Sequence, residues 1–200
     1  MNTVRSDIAT RKAKNFLRDC RDKFESMAMP SQVNMINTIS GNKRRDKAAM
    51  QRLTNKLPSV IALEKCSTKG KYKNMWFPVY GRVDYDLMRT NTATQFKHGD
   101  TALSLMATLP TGDTLMCVFS YHAIKRMFER YDCLLNEHDN DRILQQLFVI
   151  FRTLNRDRAV KKGGVDTGPY EIDGRKFVWS TVGSEFSDEG YLIKTFLPKD

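Results

Sequence analysis

The spacing of apolar and polar positions divides the chain in two. Up to residue 58 it is helical. Residues 4 to 28 set Ile8, Phe16, Leu17, Phe24 and Met27 between basic residues, which predicts a helix ended by Pro30. Ser31 caps a second predicted helix through Val33, Met35, Ile36 and Ile39, stopped near Gly41. NKRRDKAAMQRLTNKL predicts a third, closed before Pro58. KCSTKGKYKN reads as a polar loop and marks the boundary. From residue 75 the texture changes. MWFPVYGRVDY is aromatic and β-branched and predicts a strand. TALSLMATL and TLMCVFS flank the turn signal PTGD and predict a hairpin. Ser120 stands at an N-cap position, so a helix is expected from Tyr121. NEHDNDRILQQLFVIFRTLNRDRAVKK predicts a second, long helix, with a broad apolar face of Ile143, Leu144, Leu147, Phe148, Ile150, Phe151 and Leu154. Asp173-Gly174 between β-prone runs signals another hairpin, and GYLIKTFLP a last strand.

The order predicts an α+β protein. Basic N-terminal helices over 1–58 are followed, over 75–200, by a mostly antiparallel sheet packed against two helices. With 200 residues, 40% of them hydrophobic, the chain can bury a real core. No apolar run approaches the roughly 20 residues of a membrane span. The start of the chain lacks the apolar core of a secretory signal. Four cysteines, Cys20, Cys66, Cys117 and Cys133, are scattered without a C-x-x-C pair. That suits reduced thiols rather than a disulfide framework or a zinc site, and a cytoplasmic location with no membrane partner is expected.

Charge sharpens the picture. The net charge is +10, and residues 1–56 hold 13 Lys/Arg against 5 Asp/Glu. A basic block of this kind predicts a polyanionic partner, nucleic acid with RNA favoured. The expected contacts are Arg11, Lys12, Lys14, Lys43, Arg44, Arg45 and Lys47.

The chemistry concentrates in SYHAIKRMFERYD. On a helix, His122, Arg126 and Arg130 stand at i, i+4 and i+8, a gently winding row, while Ile124, Met127, Phe128 and Tyr131 supply the packing face. Arginine offers a fork of donors suited to phosphate oxygens, and histidine exchanges a proton near neutral pH. Together they make a kit for cleaving RNA without metal: a base takes the 2′-hydroxyl proton and the guanidinium groups stabilise charge on the phosphoryl oxygens. The same row is also compatible with a solvated basic face, in which Arg126 pairs with Glu129 three residues on. His98 and His138 have no ligand set around them, so no metal site is expected. Asp84 and Asp86 need a further acid to hold an ion. No G-x-x-x-x-G-K-S/T loop, G-x-G-x-x-G or G-x-S-x-G occurs, which argues against nucleotide-dependent or serine-hydrolase chemistry. Trp76, Phe77, Tyr80 and Tyr85 interleave with Lys71, Lys73 and Arg82, either a core stripe with a basic rim or a stacking surface for unpaired bases.

SYHAIKRMFERY resembles the H-x-x-x-R-x-x-x-R helix of small toxin-like domains, within the broad assembly of metal-independent RNases that includes barnase, EndoU, colicin-type and RelE relatives. The resemblance covers residues 114–200. It implies a curved antiparallel sheet whose closing strand ends near a catalytic hydroxyl or basic residue. YLIKTFLP is similar to such strands, which adds Lys194 and Thr195 to the site. It further implies a toxin-like endoribonuclease that works by 2′-hydroxyl attack, needs no cofactor, and is restrained by a protein inhibitor. The chain departs from the pattern at Tyr131, where such domains often carry glycine, and residues 1–113 have no counterpart in it. Two other readings stay open: a non-enzymatic nucleic-acid-binding protein of viral or mobile-element origin, and a protein-interaction or inhibitor module.

Overall fold

The computed structural model describes residues 2–27, 46–66, 71–84, 101–160, 169–172, 174–184 and 187–198. Helix α1 (Asn2–Phe24) and a short α2 (Lys47–Thr54) precede four strands, β1 (Val60–Lys65), β2 (Trp76–Asp84), β3 (Ala102–Thr108) and β4 (Thr114–Ser120). Three helices follow, α3 (Tyr121–Arg130), the single turn α4 (Asp132–Leu135) and α5 (Asn140–Val160). The strands β5 (Pro169–Ile172), β6 (Arg175–Ser184) and β7 (Ser187–Phe196) complete the α+β fold. The helix expected from Ser31 to Ile39 lies outside the described residues, as do Lys43, Arg44 and Arg45.

Local chemistry sets most of these bounds. Ser120, extended at φ −63° and ψ 156°, accepts from the backbone N–H of Ala123 and starts α3 at Tyr121, as its position predicts. Asp46 caps α2 in the same way through Ala49. Gly112 (φ +100°) and Gly174 (φ +70°) supply the left-handed residues of the two predicted hairpins. α1 closes at Phe24, well before Pro30, where the Ser26 hydroxyl and N–H both take the carbonyl of Lys23. The apolar pattern does not predict β1. Its VIALE run has no strict alternation, and a bulge between Val60 and Ala62 breaks the register that would have revealed it.

The seven strands form one mixed sheet in the order β1-β2-β3-β4-β7-β6-β5. Every pairing is antiparallel except the central one, where β4 and β7 run parallel. Two antiparallel meanders thus meet along a single parallel seam. α1, α3 and α5 cover one face, and their apolar residues join Phe77, Leu103, Leu105, Phe119, Phe177, Ile193 and Phe196 in the main core. α2 lies on the other face, where Met50 and Leu57 pack with Val60, Leu63, Trp76 and Tyr80. The sheet curls around α5: Gln145 donates to the carbonyl of Ile61 on β1, and its neighbour Gln146 accepts from Arg175 on β6, near the opposite end of the strand order. The segment KCSTKGKYKN, where a boundary is expected, connects β1 and β2, which pair directly, and α1 packs on β2 and α3. Gly81 makes the α1 contact possible, because a Cβ there would run into the Phe24 ring.

Candidate nucleic-acid site on α3

α3 is held by its apolar side. Ala123, Ile124, Met127 and Phe128 are buried, and Phe128 meets Phe16 of α1 edge-on with ring centroids 5.9 Å apart. Tyr131, which ends the helix, anchors it to the closing strands. Its hydroxyl donates to the carbonyl of Leu197 at 3.2 Å and accepts from the N–H of Lys176 at 3.0 Å. A glycine at this position would provide neither contact, which gives a physical reason for the departure from the H-x-x-x-R-x-x-x-R pattern.

The opposite side of α3 carries the row. His122 is exposed. Its pKa is lowered from 6.5, first by partial desolvation of the ring and then by the positive charge of Arg126, with Lys125 and Arg130 acting the same way and Glu129 opposing them. The imidazole is therefore neutral at pH 7 and free to accept a proton. Both arginines of the row, with Lys125, therefore bear on the same imidazole. Arg130 presents a guanidinium nitrogen, Nη1, that is buried without a hydrogen-bond partner among the described residues. A desolvated donor of this kind is costly unless something accepts from it.

Glu129 is the carboxylate inside the cluster, only 9% exposed. Desolvation pushes it up, but the Ser6 hydroxyl at 2.8 Å and the Arg126 guanidinium at 2.6 Å outweigh that, and its pKa falls below 4.5. Arg126 is thus engaged by Glu129, the pairing that the i, i+3 spacing allowed. Its side chain keeps 40% of its surface exposed, so further donors on the fork can still meet solvent or ligand. Ser6 and Glu129 also tie the row to α1, where Arg5 pairs with Asp132 at 2.6 Å. Sequence reasoning named Glu129 as a partner of Arg126 but not the reach of Ser6, because a contact between residues 123 positions apart leaves no local signal.

No family model, curated protein or solved structure matches this chain. The site therefore has to be read from its own geometry.

The other expected residues divide. β7 packs beneath α3, as a shared site needs. The β6 register, however, jumps from Val178 opposite Thr195 to Trp179 opposite Ile193, so Lys194 is the extra residue of a bulge. The bulge lets both Ile193 and Phe196 face the helix layer. Thr195, between the bulge and Phe196 and paired with Val178, turns to the reverse face, away from His122. Lys194 is exposed. On α1, Arg11 and Lys14 are exposed, whereas Lys12 donates to the carbonyl of Glu137 and lies over the Phe128 ring at 5.4 Å. Lys12 therefore holds α1 to α3 and is not part of an outward basic row. Lys47 is exposed on α2, on the other face of the sheet from α3. Among the described residues no three of His, Cys, Asp and Glu gather into a group that could hold a metal. No helix among them is long and apolar enough to cross a membrane.

The charge balance of the row gives a direct check. The His122 titration, followed by NMR of its ring protons, is expected to have its midpoint below 6.5. Arg126→Gln removes a positive neighbour and raises that midpoint. Glu129→Gln removes the opposing negative charge and lowers it further. A midpoint at or above 6.5 in the wild-type protein would contradict the cluster.

Proposed function

We propose that this chain binds RNA and cleaves it without a metal, as a toxin-like endoribonuclease. His122 takes the proton of a 2′-hydroxyl, whose oxygen attacks the adjacent phosphorus. The bond from phosphorus to the 5′-oxygen breaks, and that oxygen takes a proton from solvent, which reaches the exposed face of α3. The products are a 2′,3′-cyclic phosphate and a 5′-hydroxyl. Arg130, with the free part of the Arg126 fork, stabilises the charge that grows on the phosphoryl oxygens. The observation that carries this reading is the exposed imidazole of lowered pKa on one helical row with Arg126 and with Arg130, whose Nη1 has no hydrogen-bond partner among the described residues. Thr195 has no part in it, and Lys194 serves at most to attract the polyanion. The four cysteines are free thiols, which suits a reducing compartment such as the cytoplasm, and an RNase acting there calls for a protein inhibitor.

One observation favours a second reading, binding without cleavage: the Glu129 carboxylate already occupies Arg126 and leaves one arginine of the row without a carboxylate partner among the described residues. The two readings separate in EDTA. Cleavage is expected on all-ribose RNA, with cyclic-phosphate ends, and is expected to stop where a single 2′-deoxy nucleotide replaces the ribose at the cut. RNA that binds and stays intact supports the second reading instead.

A further inference from the structure

On the other side of the sheet from α3, β2 carries a surface that the cleavage chemistry does not use. Along β2 the side chains alternate. Phe77, Val79 and Val83 enter the main core, and Gly81 receives Phe24. Trp76, Pro78, Tyr80 and Arg82 therefore share the reverse face. Trp76 and Tyr80 are half-buried there: Met50 on α2 and Leu57 just after it pack against them, and part of each stays open to solvent. Four residues of strand rise put them about 13 Å apart, too far for a single base to touch both.

Cations surround these rings. The Lys47 ammonium lies 5.3 Å above the Trp76 ring, so the face of the indole is reached from solvent by a charged group. Lys65 is the register partner of Trp76 on β1, and Lys65 and Arg82 are exposed. Across residues 46–66 and 71–84 there are seven Lys and Arg against three Asp and Glu. Of the three, Asp46 is committed to capping α2, and Glu64 meets Arg152 at 3.3 Å.

We propose that the outer face of β2 is a stacking platform for single-stranded RNA, with Trp76 and Tyr80 each taking an unpaired base and Lys47, Lys65 and Arg82 meeting the backbone. Immobilised, half-open aromatic rings within a basic surface are what unpaired bases need: π-faces to stack on and positive charge for the phosphates. A duplex hides its base faces and gains only the charge. The platform lies on the opposite face of the sheet from His122, so it stands whether or not His122 cleaves.

The test uses the full chain and a 2′-O-methyl oligouridylate, which resists 2′-hydroxyl attack, so the outcome does not depend on cleavage. The chain has two tryptophans, and Trp179→Phe leaves Trp76 as the reporter. Saturable quenching of Trp76 fluorescence by the single strand is expected. For the Trp76 variants, which lack the reporter, binding is followed by the anisotropy of a dye-labelled oligonucleotide, and Trp76→Leu is expected to weaken it by roughly 5- to 150-fold. Trp76→Phe, which keeps an aromatic face, is expected to restore most of it, and affinity for a duplex of equal length is expected to stay where it was. Lys65→Glu, at an exposed position outside the core, is expected to weaken the single strand about fivefold or more with no change in unfolding midpoint. Quenching absent, Trp76→Phe as weak as Trp76→Leu, Lys65→Glu without effect, or displacement of the oligonucleotide by polyglutamate at equal charge would each overturn the platform.

Discussion

Replacing His122 with alanine is expected to lower metal-free RNA cleavage by roughly 10²–10⁴-fold, the range for loss of a positioned proton acceptor. RNA affinity is expected to hold, because phosphate contacts come from arginines and lysines that the substitution leaves in place. The pH profile adds a second signature. A base works in its deprotonated form, and partial desolvation of the His122 ring, followed by the positive charge of Arg126 and its neighbours, lowers its pKa from 6.5. Cleavage should therefore stay near its plateau as pH falls through 6.5 and decline only in more acidic solution. In Arg126→Gln the decline should begin at higher pH, since one of the charges that disfavour the imidazolium is gone. Initial rates with EDTA present, from pH 4.5 to 8 and set beside a filter-binding measurement, check both. Cleavage that survives in His122→Ala removes the imidazole from the chemistry and leaves the basic surface as a binding surface.

Phe128→Ala carries the largest expected effect on stability, a loss of about 3–5 kcal/mol, which is typical for a phenylalanine removed from a close-packed core. Phe128 is fully buried, and it joins three parts of the molecule at once. It meets Phe16 of α1 edge-on, lies under the Lys12 ammonium, and belongs to the side of α3 that rests on the sheet. Truncation leaves a cavity where α1 and α3 meet and deprives Lys12 of its aromatic partner. Against the 5–15 kcal/mol that holds a typical domain together, the loss takes a large share. Urea denaturation followed by circular dichroism measures it. A loss under about 1 kcal/mol would mean that α1 is not held on α3 through this ring.

Legibility in the sequence followed the range of the interactions. The cap at Ser120, the glycine turns at 112 and 174 and the apolar stripe of α5 are local rules, and the sequence announces them within a few residues. Lys12 could have been placed better. It falls beside Ala9, Ala13 and Phe16, on the stripe of α1 that is buried, so its spacing already set it apart from Arg11 and Lys14. Thr195 could not. Simple alternation from Tyr191 and Ile193 would turn Thr195 toward the helices, and it is the bulge at Lys194, a property of two strands together, that reverses it. The hold of Ser6 on Glu129 and the landing of Phe24 on Gly81 are likewise products of the assembled layers. The row on α3 was therefore visible as a pattern, while the carboxylate that restrains it and the face that Thr195 occupies became visible only in three dimensions.

The parallel seam has a consequence for how the chain reaches this state. Each meander is built from neighbours in sequence and can zip from its own turns, but Val118 and Leu192 meet across 74 intervening steps along the backbone. That closure must come before the seam returns any energy, so it is the natural slow step of assembly. Until it happens the inner edges of β4 and β7 remain open strands, able to pair with the wrong molecule. α3, which rests on β7, has no floor before then. A nascent molecule would therefore acquire its histidine face late, after most of its secondary structure is already in place.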